Sequence, residues 1–517
     1  MYLTQPLHKG RREVPNVDAV VFGDRRATFS QFADRVSRLA AGLRALGVAP
    51  EDRVGMLGLN SMEYVEYFYG VWWAGGVINP VNIRWSPKEV AYSLDDCDTR
   101  VLLVDDTFAA MVPALRQAST SLKTVVYCGR GQTPPDMLSY EELLATASPL
   151  PDTRRGGDDL AAVMYTGGTT GMPKGVMLTH TNLFANCLSS IATVPRHGPS
   201  RPLVAAPMFH VAGCGLALQS MMRLATQVIL PMFDEVAILQ AIQDGCTDVF
   251  LVPTMIKRVI DHPRFNEFDV SGLNMLLYGA APIDAALLER AMQVFPNAEF
   301  CQAYGMTELS PTIAVLPPAS HLPGPDQARM LRAAGRPVII AEVRIVDGDD
   351  NEVPVGQVGE ITARGPMVMK GYWNKPEETA AALRGGWMHT GDMGYVDEEG
   401  LLYVVDRKKD MIVTGGENVY SAEVENAISQ LEEVALCAVI GVPDDKWGER
   451  VHAVLVLRPG AQLPEEAVIA HCREQIAGYK CPRSVEFRDE LPLSAAGKLQ
   501  KFQLREPFWT GRGRRVA

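Results

Sequence analysis

Two hydrophobic periods alternate along the chain from about Thr28 to Gly305, and few folds can accept that pattern. "TFSQFADRVSRLAAGLRALG" opens on the capping box Thr28-x-x-Gln31 and closes on Gly47, with Phe32, Val36, Leu39, Leu43 and Leu46 forming one apolar stripe. This predicts a helix with one buried face. "RVGMLGL" follows as a short strand, then a helix from about Ser61 to Ala74. "SPKEVAYSL" repeats the capping signature with Ser86 and Glu89, and "RVLLVDD" reads as a buried strand. The alternation continues through "VYCG", "DVFLVPT", "NMLLYGAAP" and "AEFCQAYG". Short apolar runs bounded by Gly and Pro suit parallel strands covered on both faces, so the expected class is α/β with doubly wound sheets.

From about Val338 the pattern changes to strands separated by turns, as in "EVRIVDGDDNEVPVGQVGEITARG", which predicts an antiparallel or β-barrel-like part. The charged run "DRKKD", Asp406 to Asp410, precedes a last segment with strands at "VALCAVIGV" and "VHAVLVLRPG" and a helix at "PEEAVIAHCREQIAG". The 517 residues exceed what one core can organise. The expected division is an N-terminal domain over 1–408 and a small, mobile α+β C-terminal domain over 409–517.

The bulk numbers exclude some function classes. A net charge of −12 argues against a nucleic-acid partner. Nine scattered cysteines without a C-x-x-C pair fit reduced thiols and not a disulfide framework or a zinc site. The N-terminus "MYLTQPLHKGRREVPN" lacks the apolar core of a signal peptide, and "YGVWWAGGVINPV" is too short and glycine-rich to span a bilayer. A cytoplasmic protein without a membrane span is expected; the oligomeric state is left open.

One segment is costly to order: "YTGGTTGMPKG", Tyr165 to Gly175. Backbone N–H groups at Gly167 and Gly168, hydroxyls at Thr166, Thr169 and Thr170, and the Lys174 ammonium can together wrap a polyphosphate. It is not a Walker A loop, because Lys174 follows Pro173 and precedes Gly175, where a Ser or Thr should bind magnesium. A glycine-rich hairpin between "DLAAVMY" and "GVMLTH" is the plainer alternative.

The loop resembles the phosphate-loop signature of the adenylate-forming superfamily, which includes acyl-CoA synthetases, firefly luciferase and nonribosomal peptide adenylation domains. Further signatures of that family follow in order: "QAYGMTE" (Gln302 to Glu308), "GWMHTGD" (Gly386 to Asp392), "DRKKDMIVTGGENVY" (Asp406 to Tyr420) and "LPLSAAGKLQK" (Leu491 to Lys501). The resemblance covers nearly the whole chain. It implies that Tyr304 stacks on adenine, Thr307 hydrogen-bonds the α-phosphate and Glu308 holds Mg²⁺. "YGAAP", with Gly279, Ala280 and Ala281, would lie at the adenine edge. Asp392 would bind the ribose hydroxyls with help from Arg407. His210, in "PMFHVAGCG", would stand beside the substrate carboxylate, although a lone His among apolar residues is commonly a core residue. Lys498 would reach the acyl carboxylate and α-phosphate during adenylation.

The implied reaction is ATP- and Mg-dependent ligation of a small-molecule carboxylic acid to CoA through an acyl-AMP, with pyrophosphate and then AMP released. By the same resemblance Lys409 matches a hinge about which the C-terminal domain rotates. Gly415 and Gly416 in "TGGEN" would then flank the pantetheine tunnel, and Trp447 would contact the CoA nucleotide. The expected acyl pocket is lined by Val211, Ala212, Gly213, Gly215, Ser310, Pro311 and Thr312, small and uncharged, without an acidic anchor for an amino acid. A medium or long fatty acid and an aryl acid both fit. A stand-alone adenylation enzyme loading a carrier protein, a luciferase-like oxygenase and a non-catalytic nucleotide-binding module are the alternatives.

Overall fold

Both capping boxes form as expected in the computed structural model, which describes residues 1–166, 172–195, 200–493 and 499–510. Thr28 caps the helix Phe29–Ala45 and Ser86 caps Pro87–Asp96, each with the reciprocal bond from Gln31 or Glu89. Phe32, Val36, Leu39 and Leu43 are buried, so the helix turns the predicted stripe inward. The helix Met62–Trp73 is buried all round, and its two carboxylates survive burial by pairing: Glu63 with Arg25 and Glu66 with Arg35.

Two large sheets carry the N-terminal part. One has eight strands in the order Gly371–Tyr372, Lys174–Thr179, Leu160–Thr166, Val77–Pro80, Arg53–Leu57, Val101–Val104, Thr124–Tyr127 and Leu138–Ser139. The other has nine and runs from Arg336–Pro337 through Thr312–Leu316, Glu299–Gly305, Met275–Gly279 and Asp248–Leu251 to Arg25–Thr28 at its far edge. Their centres are parallel, as the apolar runs required. Towards the edges the pairing becomes antiparallel, between Leu160–Thr166 and Lys174–Thr179 and between Glu299–Gly305 and Thr312–Leu316. At both places the connection is too short for a helical crossover, so the chain can only turn back. Those two returns are the segments that the motifs singled out.

The largest buried cluster joins the two sheets. Leu103 and Ala161 of one and Val204 and Ala314 of the other pack with Phe68, Trp72, Phe184 and Leu218. The helix His180–Thr193 in this layer does more than pack. Asn182 and Asn186 lie one turn apart on one face. Asn182 Nδ2 donates to the Pro366 and Val368 carbonyls at 2.7 and 2.8 Å, and Asn186 Nδ2 to those of Leu309 and Thr312 at 3.1 and 2.7 Å. One helix face thereby fixes both segments that flank Glu308.

After Val338 the antiparallel expectation holds, as a four-stranded sheet of Glu342–Val346, Gly359–Arg364, Met388–Val396 and Leu402–Arg407. Beyond it stands a five-stranded sheet with its own buried cluster around Ile412, Val439, Leu455 and Cys472. No helix among the described residues is long and apolar enough to cross a membrane.

Replacing Asn186 with Leu leaves the Leu309 and Thr312 carbonyls buried without a donor. The expected loss is about 1–3 kcal/mol for each carbonyl, seen as a lower midpoint of thermal unfolding. A variant as stable as the parent would show that this face does not hold the segments.

Candidate active site

Two glycines bring the candidate motifs together. Strands Met275–Gly279 and Glu299–Gly305 run parallel with Gly279 opposite Ala303. A Cβ at Gly279 would lie 2.1 Å from the Ala303 carbonyl oxygen, and one at Gly305 would lie 1.8 Å from that of Pro311. No side chain fits either gap, so "YGAAP" and "QAYGMTE" can approach only as backbone on backbone. Ala280 follows with φ of 65°, turning the chain out of the sheet beside Ala281.

Across from this edge, Asp392 lies on the strand Met388–Val396, directly opposite Arg407. It is 5% exposed, accepts a 2.8 Å hydrogen bond from the Tyr304 hydroxyl and pairs with Arg407 Nε at 3.1 Å. Burial and the Asp392 carboxylate push the Tyr304 phenol well above its ordinary range, so it stays a donor at neutral pH. Asp392 also holds the Arg407 guanidinium firmly protonated.

Glu308 follows in a short helical turn, Thr307–Leu309, with Thr307 half-buried beside it. Glu308 is 7% exposed and accepts a 2.9 Å bond from the Tyr372 hydroxyl. Lys174 Nζ stands 5.0 Å from the centre of the Tyr372 ring. Tyr372 thus connects the motif carboxylate with the lysine that ends the glycine-rich segment. Burial raises the Glu308 pKa; Tyr372, Arg407 and Lys174 offset this in part. A lone buried carboxylate facing cationic neighbours suits a site completed by a dication and phosphate oxygens. Among the described residues no cluster of three or more His, Cys, Asp or Glu could cage a metal alone.

His210 occupies the N-cap position of the helix Val211–Met222, half-buried with its ring 4.3 Å from that of Phe209. Along this helix Gly215 is buried, and a Cβ there would lie 3.8 Å from Pro311. The small-residue face beside His210 therefore meets the segment that follows Glu308. Thr166 pairs with Lys174 at the mouth of the glycine-rich hairpin. Gly167, Gly168, Thr169 and Thr170 lie outside the described residues, as does Lys498.

Lys409 is exposed, and its carbonyl accepts a bond from Arg505 Nη1 at 3.1 Å. Gly415 N–H donates to the Trp447 carbonyl at 2.8 Å, and a Cβ on Gly415 would lie 2.7 Å from the indole. Gly416 completes that turn with φ of 87°, and the Trp447 side chain is exposed. Tyr372, Asn182 and Asn186 escaped the sequence reading. Each works through contacts distant in sequence, and no local pattern announces them. The acidic turn Asp397 to Glu399 binds Arg329 through Asp397 and Glu399.

The groups gathered at the ends of the parallel strands, with one metal-suited carboxylate, fit a nucleotide-activating ligase. Family comparison agrees: residues 7–373 match the AMP-binding enzyme model and residues 423–498 match the AMP-binding enzyme C-terminal domain. The chain belongs to this family and is an adenylate-forming acyl-CoA ligase, an enzyme class that uses ATP, Mg²⁺ and CoA. It is 41% identical to a feruloyl-CoA synthase of Amycolatopsis sp over 505 residues, covering 97% of this chain and 98% of that protein. It is 36% identical to the fatty acid–[acyl-carrier-protein] ligase ScoC of Streptomyces coeruleorubidus, covering 97% and 95%. The crystal structure of the anthranilate CoA ligase AuaEII in complex with anthranoyl-AMP superimposes with a TM-score of 0.90 at 27% identity, covering 98% and 97% of the two chains.

The raised Glu308 pKa has a consequence for stability. A carboxyl that binds its proton more tightly in the folded state adds stability that is complete below its ordinary value of 4.5 and is lost as pH rises through the folded pKa. Glu308→Gln removes that loss. The ligand-free variant should unfold at a higher temperature than the parent at pH 7.5, with the difference closing towards pH 4.5. Acyl-AMP formation should fall by about two orders of magnitude or more. A variant that is less stable at pH 7.5, or fully active, would contradict this account of Glu308.

Proposed function

We propose that the chain activates an aromatic acid of the hydroxycinnamate type and transfers it to CoA. The observation that carries this reading is the uncharged strip where Gly215, on the helix that follows His210, faces Pro311 across open van der Waals distance. A flat ring needs room without charge, and a glycine facing a proline leaves it. The likeness to a feruloyl-CoA synthase supports the same choice.

In the first step a carboxylate oxygen attacks the α-phosphorus of ATP, the bond to the β-phosphate bridge breaks, and pyrophosphate leaves. In the second the CoA thiol attacks the acyl carbon and AMP leaves. On this reading Tyr304 and the segment Gly279, Ala280 and Ala281 hold adenine, while Asp392 with Arg407 holds the ribose. Thr166 and Lys174, with Gly167, Gly168, Thr169 and Thr170, embrace the phosphates; Thr307 steadies the α-phosphate and His210 orients the acid. Glu308 holds Mg²⁺, which screens the phosphate charge against the incoming carboxylate. Lys498 serves adenylation, and Gly415, Gly416 and Trp447 serve CoA. The domains divide at 408/409, with Lys409 as the hinge. The arrangement present here is taken as the adenylating one, supported by the whole-chain likeness to a ligase crystallised with its acyl adenylate.

A fatty acid delivered to a carrier protein is the second reading, favoured by the likeness to ScoC. Acid-dependent pyrophosphate exchange across ferulate, benzoate and octanoate, with thioester formation followed on CoA and on a phosphopantetheinyl carrier, separates the two. Ferulate with CoA should win. Preference for octanoate with the carrier would replace the first reading by the second. Gly215→Leu pushes a side chain towards Pro311 and narrows the strip. Its kcat/KM should drop at least about tenfold for ferulate, on the scale of one overpacked contact, and far less for benzoate. Equal losses for both acids would remove Gly215 from the pocket.

A further inference from the structure

The strand Leu402–Arg407 carries Arg407, which faces Asp392, and next to it Asp406, which faces the other way. Asp406 is 8% exposed and lies on the N-terminal side of Lys409. Its partners lie on the far side. Asp406 Oδ2 accepts from the backbone N–H of Ser421 and from Ser421 Oγ, the latter at 2.8 Å. Ser421 Oγ in turn accepts from the ammonium of Lys501, which also pairs with Glu425 Oε1 at 2.7 Å. Glu425 Oε1 is itself fixed by a 2.7 Å bond from Val439 N. Four residues along the same helix face, Arg505 Nη1 binds the Lys409 carbonyl at 3.1 Å and Asp410 Oδ1 at 2.6 Å. The helix Lys501–Trp509 therefore grips Lys409 and, through Ser421, the strand that precedes it.

We propose that Asp406, Ser421 and Lys501 form a buried polar latch across the hinge, which holds the C-terminal unit in the adenylating arrangement and must open before thioester formation. This rests on the reading that the unit turns about Lys409. Rotation there moves Ser421 and Lys501 away from Asp406, because only Asp406 belongs to the four-stranded sheet. Lys501 and Asp406 are positioning residues; neither is placed against substrate. Burial alone would lower the Lys501 pKa, but the Glu425 and Asp406 carboxylates outweigh it, so the group at the centre of the contact stays charged at neutral pH. Such a group cannot be left unpaired cheaply, and the latch is accordingly either closed or replaced by new partners.

The full-length enzyme is assayed in its two half-reactions separately: acid-dependent pyrophosphate exchange, and CoA thioester formation from supplied acyl-AMP. Asp406→Asn and Lys501→Met should each lower exchange by at least about tenfold, the size of one lost charge-assisted contact, and leave thioester formation within about threefold of the parent. The double variant should be no worse than the poorer single one, because both remove the same contact. Lys501→Arg should restore most of the exchange. Equal losses in both half-reactions, additive losses, or unchanged exchange would each overturn the latch. If Lys501→Met does not fold, Ser421→Ala, which deletes only the bridging hydroxyl, should lower exchange selectively in the same way, while Lys501→Arg keeps the parent's ratio of half-reactions. A parent enzyme that shows no acid-dependent exchange with any acid would instead refute the reading of function.

Discussion

The Asp392 carboxylate is shared by a phenol from the nine-stranded sheet and a guanidinium from its own four-stranded sheet, and the candidate site is organised around that sharing. Tyr304 comes from the strand that also delivers Thr307 and Glu308; Arg407 comes from the strand that carries Asp406 and leads to Lys409. Movement of Asp392 would therefore loosen Tyr304, the segment that carries Glu308 and the strand that leads to Lys409 together. Its burial makes the arrangement exacting. A carboxylate taken out of water is tolerated only while donors surround it, and here two donors from different sheets meet that requirement.

How much of this could be read from the sequence follows from the range of each signal. The helix Phe29–Ala45, the parallel strands and the change to antiparallel pairing after Val338 depend on local periodicity and capping, and they were legible to within a few residues. The motif residues Tyr304, Glu308, Asp392 and Arg407 could be named, and the structure brings them to one edge. Tyr372 could not. It sits in "KGYW" with no local mark of function, yet it donates to Glu308 and carries Lys174 over its ring. Asn182 looks like a capping residue at N3 of its helix, and it does bond the Thr179 N–H, but the same side chain also binds carbonyls near residue 367. Such roles exist only once the sheets are stacked. The edges of the sheets show the same limit: an apolar strand with a short return reads the same whether its neighbour is parallel or antiparallel.

The forces within the units differ from those between them. Among the described residues each buried apolar cluster stays on one side of Lys409: those of the N-terminal part end by about Val404, and those of the C-terminal part begin at Ile412. Hydrogen bonds cross between the two parts, such as Asp406 with Ser421 and Ser429 Oγ with Asp284 Oδ2 at 2.9 Å. Apolar area released to water costs roughly 25 cal/mol per Å² with nothing to offset it. A hydrogen-bonded pair can exchange its partner for water or for another polar group, at a net cost nearer 1 kcal/mol. A joint built from such contacts keeps its geometry while closed and can still be opened repeatedly, whereas a greasy interface of the same size would hold the two units in one arrangement. On the proposed reading, in which the C-terminal unit turns about Lys409, a polar joint is what the two half-reactions would need. It also fits the charged run "DRKKD", two of whose five charges are turned inward: Asp406 faces Ser421 and Asp410 faces Arg505, while Lys409 stays at the surface.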